Sequence, residues 1–474
     1  MSLDLPIPIV TILGVAWVSV AAVVIVLQRR SAAATIAWLL VFAFLPVFGF
    51  VLYRLIGPLR LKRKRIRHKF SRATVEAVVG ARAKLRDGTS DDIQLARVAG
   101  APDEAPPLAA ERVDCYFDGA SFYTALAEAI TSAQQHIHLE FYIWEPDQVG
   151  VWLRDLLIAR AQAGVKVRLL VDGTGSSRLG RKFLRPLTAA GVEFARFNPV
   201  SLRFIRTRRV DFRTHRKIVV CDGRVGFTGG MNVTDVHSSK YSASAWRDTH
   251  LRLEGMAVWP LQRMFLEDWY FAAEALPSEP EAELFPASRG ERKHTVQVVG
   301  SGPDHEQPNM LHTFFAAITR SEQRIWLTTP YFVPEEPIMI ALCTAALRKV
   351  DVRVLIPQRG DSRLIDLAAR SYLPELLACG VKVYEHTTCF IHAKTFVLDD
   401  DTGIVGSANL DTRSLRLNFE LCAVLYDRAL NTTLAQAFEA DLVHSRRIHA
   451  ADLAGQPWPR RFAEASARLL SPLL

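Results

Sequence analysis

The chain has 474 residues, and its 58 lysines and arginines against 49 aspartates and glutamates leave a formal charge of +9. With 49% hydrophobic and 23% charged residues, it can bury the cores of two or three domains without disulfides, which excludes intrinsically disordered, collagen-like and coiled-coil proteins. The mean hydropathy of +0.10 is high for a soluble enzyme of this charge content and indicates apolar segments.

Two apolar segments begin the chain, at residues 6–27 and 32–53, each 22 residues long and without a charge. Each is long enough to cross a hydrocarbon layer of about 30 Å. A cleavable signal peptide would have a basic start and a shorter apolar stretch, whereas Asp4 precedes a long one here. We therefore predict a transmembrane hairpin over residues 1–56. A re-entrant hairpin that keeps Arg29 and Arg30 near the cytoplasmic headgroups is the alternative.

A basic juxtamembrane segment and linker is expected over residues 57–110. From Arg54 to Arg72 the chain carries nine positive charges and no acid. The bias of such runs towards the cytoplasm predicts that everything after the hairpin is cytoplasmic. The run also attracts anionic lipid, at about 1 kcal/mol per basic residue near the surface.

Beyond this linker, alternating helix and strand patterns predict an α/β fold, and the order of elements repeats. Segments that begin at Ile137, Gly164 and Leu187 are followed by similar segments that begin at Ile325, Val350 and Leu376. A stretch rich in proline, glutamate and serine, residues 276–293, reads as a linker. We therefore predict a first lobe over 111–275 and a second over 294–474.

The strongest match aligns residues 215–232 with residues 392–409, without a gap, at an offset of 177. Five identities coincide in it: His215 with His392, Lys217 with Lys394, Asp222 with Asp399, Gly229 with Gly406, and Asn232 with Asn409. One short motif would be a weak signal, but two copies at fixed spacing are strong evidence of a functional site.

The repeated residues suit the chemistry of a phosphodiester. Histidine and lysine two positions apart on a strand leave the same face of the sheet, so imidazole and ammonium converge. The small pair after the second strand, Gly229-Gly230 or Gly406-Ser407, lets the backbone approach a ligand, and Asn232 or Asn409 adds an amide donor. We expect Gly230, Ser407 and the two asparagines to bind phosphate.

A two-step mechanism follows from this set. One histidine attacks phosphorus to form a phosphohistidine, and the other protonates the departing alcohol and then deprotonates the incoming hydroxyl. The lysines and asparagines stabilise the anionic five-coordinate transition state, so no divalent metal or cofactor is expected. The six cysteines, which are scattered without zinc-ligand spacing, give no support for a metal.

Four acids accompany the repeated motifs. Asp248 and Glu420 each begin a strand-like alternation after their motif, and we predict that they hold the imidazoles in the correct tautomer. Ordinary surface carboxylates are the alternative. Asp222 and Asp399, which complete the motifs, are expected to tie a turn rather than to meet substrate.

These residues resemble the HKD motif, HxKxxxxD followed by G-G/S-x-N, of the phospholipase D superfamily, over about residues 110–445. Residues 29–49, WRDTH at Trp246 and SGPD at Ser301 are similar to the bacterial cardiolipin synthase family. The resemblance implies two pseudo-symmetric lobes, each with a mixed sheet flanked by helices, around one active site. Its catalytic set would be His215, Lys217, Asp222, His392, Lys394 and Asp399, with His215 as the nucleophile.

The resemblance also implies phosphatidyl transfer between two phosphatidylglycerol molecules, giving cardiolipin and glycerol, at the bacterial inner membrane. The partners would be anionic phospholipids and the membrane, without nucleic acid; the sequence fixes no oligomeric state. A hydrolytic phospholipase D and another phosphatidyltransferase, such as a phosphatidylserine synthase, are the alternatives.

A nuclease is a third alternative, because residues 178–217 hold twelve positive charges against two acids. Leu202, Phe204 and Ile205 interleave with that charge, as expected of a segment on an anionic bilayer; a solvated loop is the other interpretation. The apolar hairpin favours an enzyme whose donor and acceptor are both lipids.

Overall fold

The computed structural model describes residues 7–28, 32–56, 68, 70–75, 94–100, 105–199, 212–305 and 307–473. The hairpin connection at 29–31, most of the basic run and the predicted bilayer-contacting residues Leu202, Phe204 and Ile205 lie outside the described residues. The chain divides into two compact units, an N-terminal one and a larger one that contains the described residues from His68 onwards.

The N-terminal unit consists of helices Ile7–Val26, Ala32–Phe44 and Pro46–Ile56. The single helix predicted over 32–53 is wrong, because a new helix begins at Pro46, which lacks the backbone N–H that would continue the preceding one. Trp38 packs edge-to-face on the buried Tyr53, with ring centroids 5.1 Å apart. In the described part of the chain, no helix combines the length and the apolar character needed to cross a membrane. The predicted membrane hairpin is therefore not confirmed.

The larger unit is a mixed α/β structure. Its strands are β1 Leu108–Tyr116, β2 His136–Phe141, β3 Lys166–Asp172, β4 Glu193–Phe197, β5 Ile218–Cys221, β6 Val225–Gly229, β7 His250–Gly255, β8 His294–Ser301, β9 Arg324–Thr328, β10 Phe332–Val333, β11 Asp351–Pro357, β12 Lys382–His386, β13 Thr395–Leu398, β14 Thr402–Gly406, β15 Leu410–Asp411, β16 Glu420–Tyr426 and β17 Ser445–Ile448. Among the described residues, 15 of them form one sheet, and β10 pairs with β15 in a separate parallel pair.

The sheet repeats itself about its middle. Its order is β17-β12-β11-β9-β13-β14-β16-β8-β1-β7-β6-β5-β2-β3-β4, so each half reads outwards from the antiparallel pair β8 and β1 in the same sequence of strand types. In each half two parallel pairings lie towards the outside (β2-β3-β4 and β9-β11-β12), and the hairpin that follows the motif histidine lies nearer the centre. The second half adds β17, which pairs antiparallel with β12 at the edge. The internal repeat of the sequence is thus a structural repeat.

Helices flank this sheet. Their bounds are Gln94–Ala99, Gly119–Ser132, Gln148–Gln162, Arg181–Ala189, Trp259–Ala273, Glu281–Leu284, Asn309–Arg320, Glu336–Leu347, Arg363–Ala378, Thr412–Arg416, Arg428–Val443, Ala450–Ala454 and Trp458–Leu469, with 3-10 turns at Asp235–His237, Met256–Val258 and Ser471–Leu473. Aspartates cap the N-termini of several of these helices: Asp118, Asp147 and Asp427 each accept a backbone N–H of the first helical turn. The helix Trp259–Ala273 is buried along most of its length and brings Asp268 into the interior.

Candidate active site

The two motif histidines lie where the halves of the sheet meet. Strands β5 and β13 begin one residue after Lys217 and Lys394, so both histidines lie just before a strand rather than inside one as predicted. A backbone bridge pairs Thr214 with Phe419, and a matching one pairs Arg247 with Ile391. Through these bridges the N–H of His215 donates to the carbonyl of Phe419 at 2.8 Å, and that of His392 to the carbonyl of Arg247 at 2.7 Å.

Each histidine is held by the acid of the other half. The Nδ1 atom of His215 lies 2.9 Å from Oε2 of Glu420, and the Nδ1 atom of His392 lies 2.6 Å from Oδ2 of Asp248. Both acids are fully buried, so they are not the surface carboxylates of the alternative interpretation. Nδ1 of His215 also faces the Ser407 carbonyl at 3.0 Å; because both neighbours only accept, Nδ1 carries the proton and Nε2 keeps its lone pair.

The small residues of the motifs contact these acids rather than an open cavity. The Ser407 hydroxyl donates to Oε2 of Glu420 at 2.5 Å and accepts the Leu421 N–H at 3.1 Å. A Cβ atom at Gly230 would lie 2.1 Å from Oδ1 of Asp248. In the structure Gly230 leaves room for the Asp248 carboxylate and Ser407 hydrogen-bonds that of Glu420, and the phosphate-binding role of both residues stays a prediction.

The lysines lie beside the histidines, as their spacing predicts. The Nζ of Lys217 donates to the carbonyl of His215 at 2.6 Å, and Lys394 makes the same contact with His392. Burial lowers the pKa of Lys217 to about 7 and that of Lys394 to about 8, and the nearby ammonium of Lys394 lowers the pKa of Lys217 further. Both cations are thus desolvated and ready to meet an anion.

Burial and the two lysines also lower the pKa of both histidines, that of His392 well below its ordinary value. Both rings are therefore neutral at neutral pH in the free protein. A neutral imidazole with its Nε2 lone pair free can act as a nucleophile or a base.

The motif asparagines lie in the same buried region. Asn232 uses its Oδ1 to accept the backbone N–H of Ile143 at 3.1 Å, which leaves its amide N–H groups as donors. Asn409 occupies the equivalent position of the second half and is also buried. The expected amide donors are thus present in both halves.

Asp222 and Asp399 lie at the hairpin turns, where their φ angles are +53° and +43°. The Asp222 carboxylate accepts the backbone N–H groups of Gln134, Gln135 and His136 at 2.7, 2.8 and 2.9 Å. Asp399 accepts those of residues 322–324 in the same way. Both acids thus bind backbone N–H groups at the starts of β2 and β9, as expected of residues that tie a turn. Their place in the catalytic set stays a prediction.

Several neighbours of the histidines carry no motif signal of their own. The Tyr142 ring lies 4.8 Å from that of His215, and the Trp246 ring lies 5.2 Å from that of His392. His237, on the 3-10 turn after Asn232, is buried 5.8 Å from the His392 ring. Tyr142 lies in the repeated segment that begins at Ile137 and Trp246 in the WRDTH pentapeptide, but neither pattern indicates a role for the ring.

His237, Asp248 and His392 bring possible ligand atoms within 4.8 Å of one another, the one such group among the described residues. Nε2 of His237 accepts the backbone N–H of Asn232 at 3.2 Å, so its proton is on Nδ1, the atom that faces Asp248 at 3.9 Å. In this arrangement His237 presents a donor to the carboxylate rather than a lone pair to a metal.

Comparisons with known proteins agree with this geometry. The family model described as "Cardiolipin synthase, PLD-like domain" matches residues 126–242 and 314–442, and one described as "Phospholipase_D-nuclease N-terminal" matches residues 15–58. The chain is 38% identical over 468 residues to the cardiolipin synthase of Alkalihalophilus pseudofirmus, covering 95% of this chain and 91% of that protein. It is 39% identical over 466 residues to the cardiolipin synthase of Geobacillus thermodenitrificans, covering 96% of this chain and 91% of the relative.

A crystal structure of phosphatidylserine synthase from Haemophilus influenzae, 16% identical, matches with a TM-score of 0.61 over 81% of this chain and 100% of that one, which shows a shared fold. The repeated lobes, the crosswise histidine and acid pairs and the near full-length relatives lead to one conclusion. The chain belongs to the cardiolipin synthase family of phospholipase D-like proteins.

Proposed function

We propose that the protein is a cardiolipin synthase, which transfers the phosphatidyl group of one phosphatidylglycerol to a second and releases glycerol. The observation that carries the proposal is the pair of buried histidines, each held at Nδ1 by an acid of the opposite half. Two imidazoles beside two desolvated lysines match a reaction in which phosphorus is attacked twice, since each step needs one nucleophile and one proton donor or acceptor.

In the first step Nε2 of His215 attacks phosphorus, the new P–N bond forms, and the P–O bond to glycerol breaks. His392 is neutral in the free protein, takes up a proton at Nε2 when the anionic phosphate binds beside it, and gives this proton to the departing glycerol oxygen. The 2.6 Å contact with Asp248 suits an imidazolium at His392. Glu420, in contrast, also accepts hydrogen bonds from Ser407 and Asn418, which reduces the charge it offers His215. The assignment of His215 as the nucleophile follows the family resemblance, because the two histidines have nearly equivalent surroundings.

In the second step His392 takes the proton from a glycerol hydroxyl of the second phosphatidylglycerol. That oxygen attacks phosphorus, the P–N bond of the phosphohistidine breaks, and cardiolipin forms. Lys217, Lys394 and the amide groups of Asn232 and Asn409 stabilise the negative charge on the other phosphorus oxygens. The residues accommodate this chemistry without a cofactor.

The substrates place the protein at a membrane. The apolar segments at residues 6–27 and 32–53 and the basic run that follows support attachment to the bacterial inner membrane, with two passes and the lobes in the cytoplasm. This assignment also favours anionic phospholipids over nucleic acid as the ligands of the cationic stretches.

The proposal is tested by incubating detergent-solubilised full-length protein with phosphatidylglycerol labelled in its phosphate and separating the lipid products. Cardiolipin with an equal amount of free glycerol is expected. Phosphatidic acid without cardiolipin would mean that water is the acceptor, and would replace the transferase by a hydrolytic phospholipase D.

A further inference from the structure

A second buried cluster of charged groups lies beside the segment that carries His215. His68 approaches two carboxylates at once: its Nε2 lies 2.9 Å from Oδ1 of Asp268, and its Nδ1 lies 2.9 Å from Oδ2 of Asp304. Nη1 of Arg216 donates to the other oxygen of Asp268 at 2.6 Å. All four side chains are at most 2% exposed, so water does not screen their charges.

A His68 that carries both ring protons fits this position, because it places a positive ring between two carboxylates and donates from Nε2 to Asp268. Burial opposes this charge, but Asp304 and Asp268 outweigh it and raise the pKa of His68 to about 9. His305 also approaches Asp304, at 3.3 Å, yet its Nε2 faces the guanidinium of Arg72 at 3.0 Å and must accept there. His305 is then a neutral donor. Asp268 thus forms ion pairs with Arg216 and His68, and Asp304 forms one with His68.

The cluster contacts both supports of the His215–Glu420 pair. Arg216 is the neighbour of His215 in the chain, and its Nε donates to the backbone carbonyl of Glu420 at 3.3 Å. The His68 ring packs against the Phe419 ring at a tilt of 34°, with centroids 4.7 Å apart, and the carbonyl of Phe419 accepts the N–H of His215 at 2.8 Å. A displaced or uncharged His68 would therefore disturb the backbone on both sides of the pair.

We infer that His68 is a positioning residue for the reaction: clamped between Asp268 and Asp304, it fixes the Arg216 and Phe419 contacts that hold Glu420 against His215. His68 lies within the basic run of residues 54–72, so this run supplies a cation to the interior next to the nucleophile. Asp304, the aspartate of the SGPD motif, then has the role of pairing with the His68 imidazolium. The inference rests on the proposed function, in which His215 reacts with the substrate.

The test compares full-length His68→Gln, Asp304→Asn and the double variant, with His312→Gln as the matched control because His312 is exposed on the helix Asn309–Arg320. The rate is measured as total phosphatidyl release from phosphatidylglycerol, which both transfer and hydrolysis require. For His68→Gln we expect kcat to fall roughly 10- to 100-fold with little change in KM, because a misplaced nucleophile affects the chemical step.

The pH profile gives a readout that loss of packing alone would not move. An uncompensated carboxylate near His215 stabilises its imidazolium, so the acid limb of the kcat profile should move to higher pH in His68→Gln. The double variant removes one positive and one negative charge. It should therefore recover most of the lost kcat and return the acid limb towards the wild-type position, even if the single variant folds poorly.

The results separate the inference from the proposed function. Wild-type protein that releases phosphatidyl groups without forming cardiolipin would overturn the function but leave the comparison of variants intact. A His68→Gln variant as active as His312→Gln would overturn the inference. A double variant no better than the weaker single variant, with an unmoved acid limb, would also overturn it.

Discussion

In the second half of the chain Glu420 and Ser407 share a hydrogen bond, whereas in the first half Asp248 stands opposite Gly230, where no side chain exists. The shorter aspartate draws its carboxylate into the space that a serine side chain would need. The longer glutamate is thus paired with a serine and the shorter aspartate with a glycine. The two halves share their histidines, lysines and asparagines, but the acids and the small residues that support them differ together. The proposed division of roles between the two histidines can be tested through this difference in their supports.

The largest effects are expected when the histidines themselves are replaced, which tests the different roles proposed for the two halves. His215→Ala and His392→Ala should each lower phosphatidyl transfer by about 10⁴-fold or more, because residues that act as a unit fail together. With phosphate-labelled phosphatidylglycerol, His392→Ala should slowly accumulate label on the protein, since it lacks the base for the second step. His215→Ala should not be labelled; the reverse pattern would assign the nucleophile to His392.

The orienting acids should give the next largest effects, and unequal ones. Asp248→Asn should lower kcat by about 10³-fold, because His392 has to carry a positive charge in the first step. Glu420→Gln should cost about 10²-fold, since Gln can still accept from Nδ1 of His215. Steady-state kinetics at neutral pH measure both, with Glu375→Gln on the exposed surface as the control. Equal losses would contradict the division of roles.

The matched pairs can be tested through their small residues. Gly230→Ala should lower kcat about 10²-fold, because the new Cβ would displace the Asp248 carboxylate and with it His392. Ser407→Ala should cost only about tenfold, the loss of one hydrogen bond to a charged group. A Gly230→Ala variant with wild-type kcat would show that the carboxylate moves without consequence, contrary to the close contact.

The sequence predicted the reacting groups because they recur: two histidines, two lysines and two asparagines at one offset, within one repeated α/β pattern. It did not predict which acid serves which histidine. Asp248 and His392 are 144 positions apart, and Glu420 and His215 are 205 apart, so only the folding of one half against the other decides the crosswise pairing. His68 was likewise hidden among the cations of the basic run, because nothing in the sequence marks one of these cations as buried.

Local chemistry also limited the prediction. Pro46 stood in the middle of the second apolar segment, and its missing N–H begins a new helix there, although hydropathy alone favoured one continuous helix. The hydroxyl of Ser407 read as a phosphate donor because nothing in the sequence places Glu420 against it. Ser407 was therefore identified from the sequence, but its hydrogen-bond partner was not.

The smallest expected effect separates the lysines of the two halves. Burial lowers the pKa of Lys217 to about 7 and of Lys394 to about 8, so the free protein loses these charges as the pH rises from 7 to 9. Since kcat/KM reports the ionisation of the free enzyme, it should fall several-fold over this range, about tenfold at most, with two closely spaced steps. Lys217→Arg should remove the lower step, because a guanidinium keeps its proton, and leave the upper one. If instead Lys394→Arg removes the lower step, Lys394 is the more strongly desolvated cation, and the second half presents the weaker charge to the phosphate.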